Sequence, residues 1–266
     1  LNKFSPYLTL KVLLLLIERP IRFPLPKRER DTLPNYQSLD KFIAAINKRI
    51  HLYHLPNSGP KILMVHGWSG RGTQFYEIAK QCNENGFDVL LFDAPAHGKS
   101  SATRTILPEF IQCIQSLSND FGPFDYAIGH SFGAAALFNA VRFGTPFKKI
   151  ITISSQYDLK NIFIDFVQTL QLPMNYVEKI LFHYKDKLNL DFSDYNLPGF
   201  IHKVELPVLI IHCLNDQDVL VNAAESLKNS LQNAILLKTN GLGHRRILRD
   251  ASVIAEIISF FRSVEL

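Results

Sequence analysis

From residue 41 to the end of the chain, short apolar runs alternate with longer segments of helical periodicity. The apolar runs predict eight strands, at 42–47, 50–54, 61–66, 88–93, 124–129, 149–154, 207–212 and 234–239. Apolar residues spaced three and four positions apart predict helices at 72–83, 107–119, 132–143, 223–231 and 251–261. The first two strands are predicted to form a hairpin. Alternation of this kind is typical of a mostly parallel sheet with helices on both faces.

The stretch 156–205 interrupts the alternation. It has no convincing strand, and its pattern predicts two or three amphipathic helices rich in aromatic residues. We interpret it as a helical lid inserted after the sixth strand, packed against the main domain, facing a substrate, or both. The predicted organisation is therefore an N-terminal arm at 1–40, a core at 41–155 and 206–266, and the insertion at 156–205.

The arm contains the apolar stretch LTLKVLLLLI at 8–17, followed by a basic stretch that prolines interrupt. A spanning helix needs roughly 20 apolar residues, about twice the length of this stretch. No small-residue cleavage site of a signal peptide follows it. The arm is therefore predicted either to dock as a helix on the domain's own surface or to make a peripheral membrane contact through residues 1–30.

Composition fits one globular domain with a substantial core, since 47% of the residues are hydrophobic and 20% are charged. The formal charge is +5, but residues 1–49 alone hold ten basic and four acidic side chains, net +6, which leaves −1 for the remainder. A nucleic-acid-binding face on the core is therefore not expected. The three scattered cysteines predict neither a disulfide framework nor a zinc site, and a cytoplasmic location, with possible membrane association through the arm, is the expectation. They are Cys82, Cys113 and Cys213.

A single serine lies between two glycines in FDYAIGHSFGAAALFNA, at 124–140. Between a predicted strand and a predicted helix, Ser131 occupies the sharpest bend, at the sheet edge where open α/β folds bind ligands. Gly129 and Gly133 supply the clearance that such a crowded turn needs. The N–H of Phe132 would then point at negative charge developing beside Ser131. The structural alternative is an ordinary N-cap serine.

Four motifs make residues 41–266 resemble the serine hydrolases of the α/β-hydrolase superfamily. They are VHGW at 65–68, DAPAHGKS at 93–100, GHSFG at 129–133, and HCLNDQDV at 212–219 paired with GLGH at 241–244. In such hydrolases the nucleophile comes first in the chain, then the acid, then the histidine, and this chain has that order. The resemblance implies the α/β-hydrolase fold, with an eight-stranded, mostly parallel sheet.

The resemblance also implies a catalytic triad with Ser131 as the nucleophile. The base of the superfamily lies in the loop after the last strand, where His244 is the only histidine after His212. The acid is expected four residues after the histidine that ends the preceding strand, which favours Asp216, with Asp218 as the substitute.

The oxyanion hole that the resemblance implies consists of the backbone N–H groups of Trp68 and Phe132. Trp68 and His130 are the predicted substrate-binding residues, although HGWSG departs from the HGGG of many lipases. The segment 93–100 matches a loop that is structural in this superfamily. His51 and His54, three residues apart on a strand, face opposite sides, so no metal site is predicted.

These residues predict a serine hydrolase that cleaves a carboxylic ester, or a thioester or amide, through an acyl-enzyme on Ser131 without a cofactor. The aromatic-rich insertion favours a small-molecule substrate with an apolar moiety. Two alternatives stay open. An acyltransferase would use the same residues, and a catalytically silent protein of this fold would serve as a binding or regulatory module.

Overall fold

The computed structural model describes residues 5–263 and gathers eight strands into one sheet. The strands are β1 (Gln37–Ile43), β2 (Lys48–Leu55), β3 (Lys61–Val65), β4 (Asp88–Asp93), β5 (Tyr126–His130), β6 (Lys149–Ile153), β7 (Val208–Cys213) and β8 (Ala234–Thr239). Their order across the sheet is β1-β2-β4-β3-β5-β6-β7-β8. β2 runs antiparallel to both of its neighbours, and the other neighbouring pairs are parallel. The predicted eight-stranded, mostly parallel sheet is confirmed.

Helices cover both faces of the sheet. Among the described residues they are α1 (Pro6–Glu18), α2 (Lys27–Arg30), α3 (Tyr76–Glu84), α4 (Leu107–Phe121), α5 (Phe132–Arg142), α6 (Lys160–Thr169), α7 (Asn175–Leu188), α8 (Asn222–Ser230), α9 (Gly243–Arg246) and α10 (Ala251–Arg262). Successive strand residues point to opposite faces. Ile62 and Met64 of β3 therefore pack with α3 and α10, whereas Leu63 and Val65 pack with α4 and α5.

The predicted first strand, at 42–47, is wrong in position. β1 begins at Gln37, before the predicted start of the core at 41, and ends at Ile43. Residues Ala44–Ile46 form a 3₁₀ turn, and Asn47 follows in the left-handed conformation with φ 52°. The error has a physical cause. β1 is an edge strand whose first residues are exposed and mostly polar, whereas the apolar turn that follows has the composition of a buried strand. The predicted hairpin of β1 and β2 is confirmed.

The insertion at 156–205 contains α6, α7 and short 3₁₀ turns, and no strand lies in this range, which the structure describes throughout. The buried side chains of α6 and α7 form a hydrophobic cluster separate from those that cover the sheet, whereas Leu159 and the turns after α7 pack in the sheet clusters. Leu13 and Leu14 of α1 belong to that cluster together with Phe163 of α6 and Tyr184 of α7. The first helix of the arm therefore shares a core with α6 and α7 of the insertion.

The arm lies against the domain through specific hydrogen bonds. The Arg22 guanidinium donates to the carbonyl oxygens of Ala96, Ser100 and Ala102 at 2.7–2.9 Å. None of the helices in residues 5–263 is long and apolar enough to cross a membrane. Residues 1–4 of the predicted arm and 264–266 of the predicted core lie outside the described residues.

Candidate active site

Ser131 occupies a sharp turn between β5 and α5. Its backbone has φ 52° and ψ −119°, a conformation that costs a non-glycine residue free energy and persists only where the surroundings impose it. The Ser131 N–H donates to the Ile153 carbonyl of β6 at 2.9 Å, which holds the turn against the sheet. The side chain is thereby presented at the carboxyl edge of the sheet.

Gly129 and Gly133 permit this turn because backbone approaches both of them closely. A Cβ added at Gly133 would lie 2.2 Å from the Val65 carbonyl oxygen, and one added at Gly129 would lie 2.5 Å from the Ala134 Cα. Both distances are far below a normal contact. A side chain at either position would push α5 away from the sheet and displace Ser131.

His244 lies in the short helix α9, which follows β8, and is bonded to a buried carboxylate. Its Nδ1–H donates to Asp216 Oδ2 at 2.8 Å. The other oxygen of Asp216 accepts the N–H groups of Asp218 and Val219, both at 2.9 Å. Burial raises the pKa of Asp216, but the hydrogen bonds from His244 and Val219 outweigh it and lower that pKa to about 2. Asp216 is therefore ionised at neutral pH. Because Nδ1 of His244 is bonded to Asp216, Nε2 is the ring nitrogen that can bind another group.

The second candidate acid, Asp218, is placed differently. It is exposed, and its carboxylate pairs with the Arg245 guanidinium at 3.3 Å. Of the two candidates, the structure thus brings Asp216 to the imidazole of His244 and leaves Asp218 on the surface.

The two candidate oxyanion donors flank Ser131. Phe132 is the first residue of α5, and Trp68 follows Gly67, where an added Cβ would lie 3.0 Å from the Ser131 Cβ. Within residues 5–263, neither backbone N–H donates to another group of the protein. The two aromatic rings pack edge to face with centroids 5.4 Å apart, which fixes both residues.

Two buried histidines, neither from the candidate triad, hold the loop that carries Trp68. His66 Nε2 accepts the Ala94 N–H at 2.9 Å, so its Nδ1–H donates to the Gly67 carbonyl at 2.7 Å. His97 Nε2 likewise accepts the Ser69 N–H at 3.0 Å. Burial lowers the pKa of both imidazoles, which keeps them neutral and able to accept these bonds.

Asp93, the first residue of the segment 93–100, holds the backbone near the Trp68 loop in place. Its carboxylate accepts the N–H groups of Gly72 and Lys99, both at 2.8 Å, and the Tyr53 hydroxyl at 3.0 Å. All of these donors belong to the loops and strands around it. The contacts made by this segment are those of a loop anchor.

His130, a predicted substrate-binding residue, is buried beside His244. Its Nε2–H donates to the His244 carbonyl at 2.9 Å, and the two rings lie 4.6 Å apart. Burial and the neighbouring His244 lower its pKa to about 3, so the ring is neutral. His130 lines the cavity beside Ser131, but its hydrogen bond goes to the backbone carbonyl of His244.

A cavity of about 520 Å³ opens beside Ser131 and His244. This size is within the range of small-molecule sites. Apolar side chains of the insertion and of the arm form much of its wall, namely Leu159, Ile162, Phe163, Phe166, Phe192, Leu16, Ile17 and Phe23. Trp68 and His130 also line it.

The sequence interpretation missed the contribution of the arm to this wall. Glu29 of α2 is buried, and its Oε2 accepts from Arg71 Nε at 2.8 Å and from the Thr73 hydroxyl at 2.7 Å. Arg71 also donates to the Phe23 carbonyl at 2.7 Å. The sequence carries no signal for this contact beyond one acid inside the basic run KRER.

No cluster of three or more histidine, cysteine or acidic side chains able to hold a metal ion occurs in the described part of the chain. His51 bonds to Asp40 at 2.6 Å, whereas His54 bonds to Asp88 at 2.9 Å. These two histidines thus use separate carboxylates.

Comparison with known proteins agrees with this architecture. Residues 60–198, just over half of the chain, match a family model described as the alpha/beta hydrolase fold. No curated protein matches the chain in sequence.

Solved structures of several esterases are similar to the chain. One from Pyrococcus furiosus, Pf2001, has a TM-score of 0.69 at 18% identity over 92% of this chain and 98% of its own. An esterase from Exiguobacterium antarcticum has a TM-score of 0.66 at 15% identity over 84% and 98%. Est1E from Butyrivibrio proteoclasticus, solved with ferulic acid, has a TM-score of 0.61 at 19% identity over 83% and 97%. At these identities the similarity shows the fold alone.

Proposed function

Because the chain belongs to the α/β-hydrolase family, we propose that it is a serine hydrolase that cleaves an apolar carboxylic ester through an acyl-enzyme on Ser131. The observation that carries the proposal is the 2.8 Å bond between His244 and the buried Asp216, at the edge of the cavity that also exposes Ser131. The esterases among the similar structures agree with this chemistry.

In the first half of the proposed reaction, His244 Nε2 takes the proton of the Ser131 hydroxyl as its oxygen attacks the ester carbonyl carbon. The carbonyl oxygen gains the negative charge and accepts from the N–H groups of Trp68 and Phe132, which have no competing acceptor in the described chain. Asp216 stabilises the imidazolium. His244 then gives its proton to the leaving alcohol, and the acyl group stays on Ser131.

In the second half, water replaces the alcohol. His244 takes a proton from the water as the hydroxide oxygen attacks the acyl carbon, and the same two N–H groups hold the oxyanion. The bond to Ser131 then breaks, and His244 returns the proton to the serine oxygen. The products are a carboxylic acid and the free enzyme.

The substrate class follows from the wall of the cavity. Apolar side chains of α6 and α1 face the space beside Ser131, so an apolar acyl or alcohol moiety would lose little by leaving water there. The same residues would also serve an acyltransferase or a catalytically silent binding protein, and labelling together with turnover distinguishes these from a hydrolase.

The test combines covalent labelling with turnover. A fluorophosphonate probe is expected to label the native protein, and Ser131→Ala is expected to abolish labelling while Ser58→Ala, an exposed serine far from the cavity, leaves it intact. On p-nitrophenyl esters of graded length, we expect turnover to rise from acetate to longer apolar acyl groups. Folded native protein that is neither labelled nor active would indicate a binding module.

A preference for small charged esters would contradict the substrate class. Acyl transfer to an added alcohol that outruns hydrolysis would indicate an acyltransferase.

A further inference from the structure

The first helix is apolar on two faces, although the protein covers only one of them. Leu13 is fully buried in the cluster shared with the insertion. Outside that contact, Tyr7, Leu8, Val12 and Leu16 of the same helix are 63%, 50%, 38% and 45% exposed. A helix that is apolar all round is ordinarily covered all round, so this second face indicates a partner.

The exposed apolar surface continues beyond the helix. Ile21 and Phe23 are 63% and 52% exposed, and both flank Arg22. Arg22 is held by three carbonyl oxygens of the 96–102 loop, and the Ile21 N–H donates to the Ser69 hydroxyl at 3.0 Å. Their exposure therefore belongs to a fixed conformation and does not result from a frayed terminus.

Basic side chains surround these apolar ones. The exposed basic residues of this stretch, besides Arg22, are Lys11, Arg19, Lys27, Arg28 and Arg30. Of its two acids, Glu29 is buried against Arg71 and Glu18 is partly buried, and Asp31, one residue beyond the stretch, is exposed. The exposed surface of this stretch is therefore both apolar and positively charged.

This surface borders the candidate active site. Leu16, Phe23 and Arg28 belong both to the exposed stretch and to the lining of the cavity beside Ser131. A large flat partner bound here would therefore lie beside that cavity.

We propose that the arm surface formed by residues 7–30 binds an anionic lipid membrane, with its apolar side chains in the interfacial layer and its basic side chains at the lipid phosphates. Apolar residues beside lysines and arginines are the combination that peripheral membrane segments use. A second copy of this chain would set two positive surfaces against each other, which disfavours a dimer here. If the proposed hydrolase activity holds, an apolar ester reaches Ser131 from the lipid without crossing water.

The proposal is tested by vesicle co-sedimentation of the full chain carrying Ser131→Ala, so that no turnover occurs. We expect binding to phosphatidylcholine vesicles that contain about 30% phosphatidylserine, weak binding to phosphatidylcholine alone, and a decrease as salt is raised. Absence of binding to the anionic vesicles, or equal binding to both kinds, would overturn the proposal.

Surface variants locate the contact. Lys11→Glu with Arg19→Glu, and separately Leu8→Ser with Val12→Ser, are each expected to weaken binding to anionic vesicles about tenfold or more. Leu220→Ser, at a position 65% exposed on another part of the surface, is the matched control and should bind as the parent does. Unchanged binding by both double variants would exclude this surface.

Sedimentation velocity without lipid distinguishes the other occupant. If the native protein is a dimer and either double variant dissociates it, the partner of this surface is a second copy of the chain and the membrane proposal is wrong. Since neither pair of positions lines the cavity, turnover of a soluble ester by the same variants should match the native protein. Inactive native protein that still binds vesicles would refute the hydrolase and leave the membrane contact standing.

Discussion

At the scale of single residues, the candidate site depends on how the Asp216 carboxylate is held. Two backbone N–H groups fix one of its oxygens, and His244 takes the other. The carboxylate can therefore set the orientation and tautomer of the imidazole without moving when the ring becomes charged. Asp218, paired with Arg245 on the surface, offers none of this.

This difference predicts unequal effects of two similar substitutions. Asp216→Asn should lower kcat for an ester substrate by a factor on the order of 10⁴, because the amide would stabilise the wrong tautomer of His244. Asp218→Asn should change kcat less than about threefold, since an exposed ion pair contributes little. Steady-state kinetics on both variants, with circular dichroism as the check on folding, provides the comparison. A larger loss in Asp218→Asn would reassign the acid.

The sequence singled out Ser131 and His244 as candidates because both lie in motifs that place glycines next to the end of a predicted strand. For the acid, the sequence offered both Asp216 and Asp218, and only the spacing typical of the family favoured Asp216. The two residues differ in burial, which the spacing does not show. The hydrogen bond of His130 to the His244 carbonyl could not be predicted from the sequence either, because these two residues are more than a hundred positions apart and meet only after folding.

At the scale of elements, the short helix α2 is held by one buried side chain. Glu29 and Arg71 have side chains only 4% and 12% exposed, and Thr73 completes the contact. Lys27 and Asp31 of the same stretch also pair, at 3.6 Å, but are 89% and 58% exposed. The two pairs allow a buried contact and an exposed one to be compared within one segment.

Glu29→Ala should destabilise the protein by about 3 kcal/mol, because it leaves the Arg71 guanidinium buried without its carboxylate. Lys27→Ala should cost less than about 0.5 kcal/mol. Urea unfolding followed by fluorescence measures both. Equal midpoints for the two variants would mean that Glu29 does not anchor α2.

The interior strands were predicted closely because parallel strands buried on both faces are short continuous apolar runs, as in β4 and β7. β1 was misplaced because an edge strand exposes its polar residues, so its pattern resembles that of a loop. The wall that the arm contributes was missed because its contacts with Arg71 and Thr73 join residues more than forty positions apart.

At the scale of the whole molecule, α1 of the arm and the helices α6 and α7 of the insertion form a unit apart from the sheet. Leu13 and Leu14 share a buried cluster with α6 and α7, while the sheet residues belong to other clusters. Regions with separate cores can open separately. The part of the cavity wall that α1 and α6 form can therefore loosen while β5 and Ser131 stay in place.

Leu13→Ala should loosen this unit selectively, with a local cost of about 3 kcal/mol for the methyl groups removed and the cavity left. Amide hydrogen exchange should quicken in α6 and α7 and stay unchanged in β3 and β5. Leu8→Ala, at a half-exposed position of the same helix, is the control and should leave every protection factor near its native value. Uniform loss of protection across the sheet in Leu13→Ala would show one cooperative unit instead.

β2 pairs with the outer side of β4, and every residue of β4 is buried. A shortened version that starts where the family match begins, at residue 60, would uncover a row of main-chain donors and acceptors flanked by apolar side chains. Unpaired strand edges of this kind pair with one another between molecules, which causes aggregation. Trimming for crystallisation should therefore spare everything from Gln37 onward, even though those first two strands lie outside the family match.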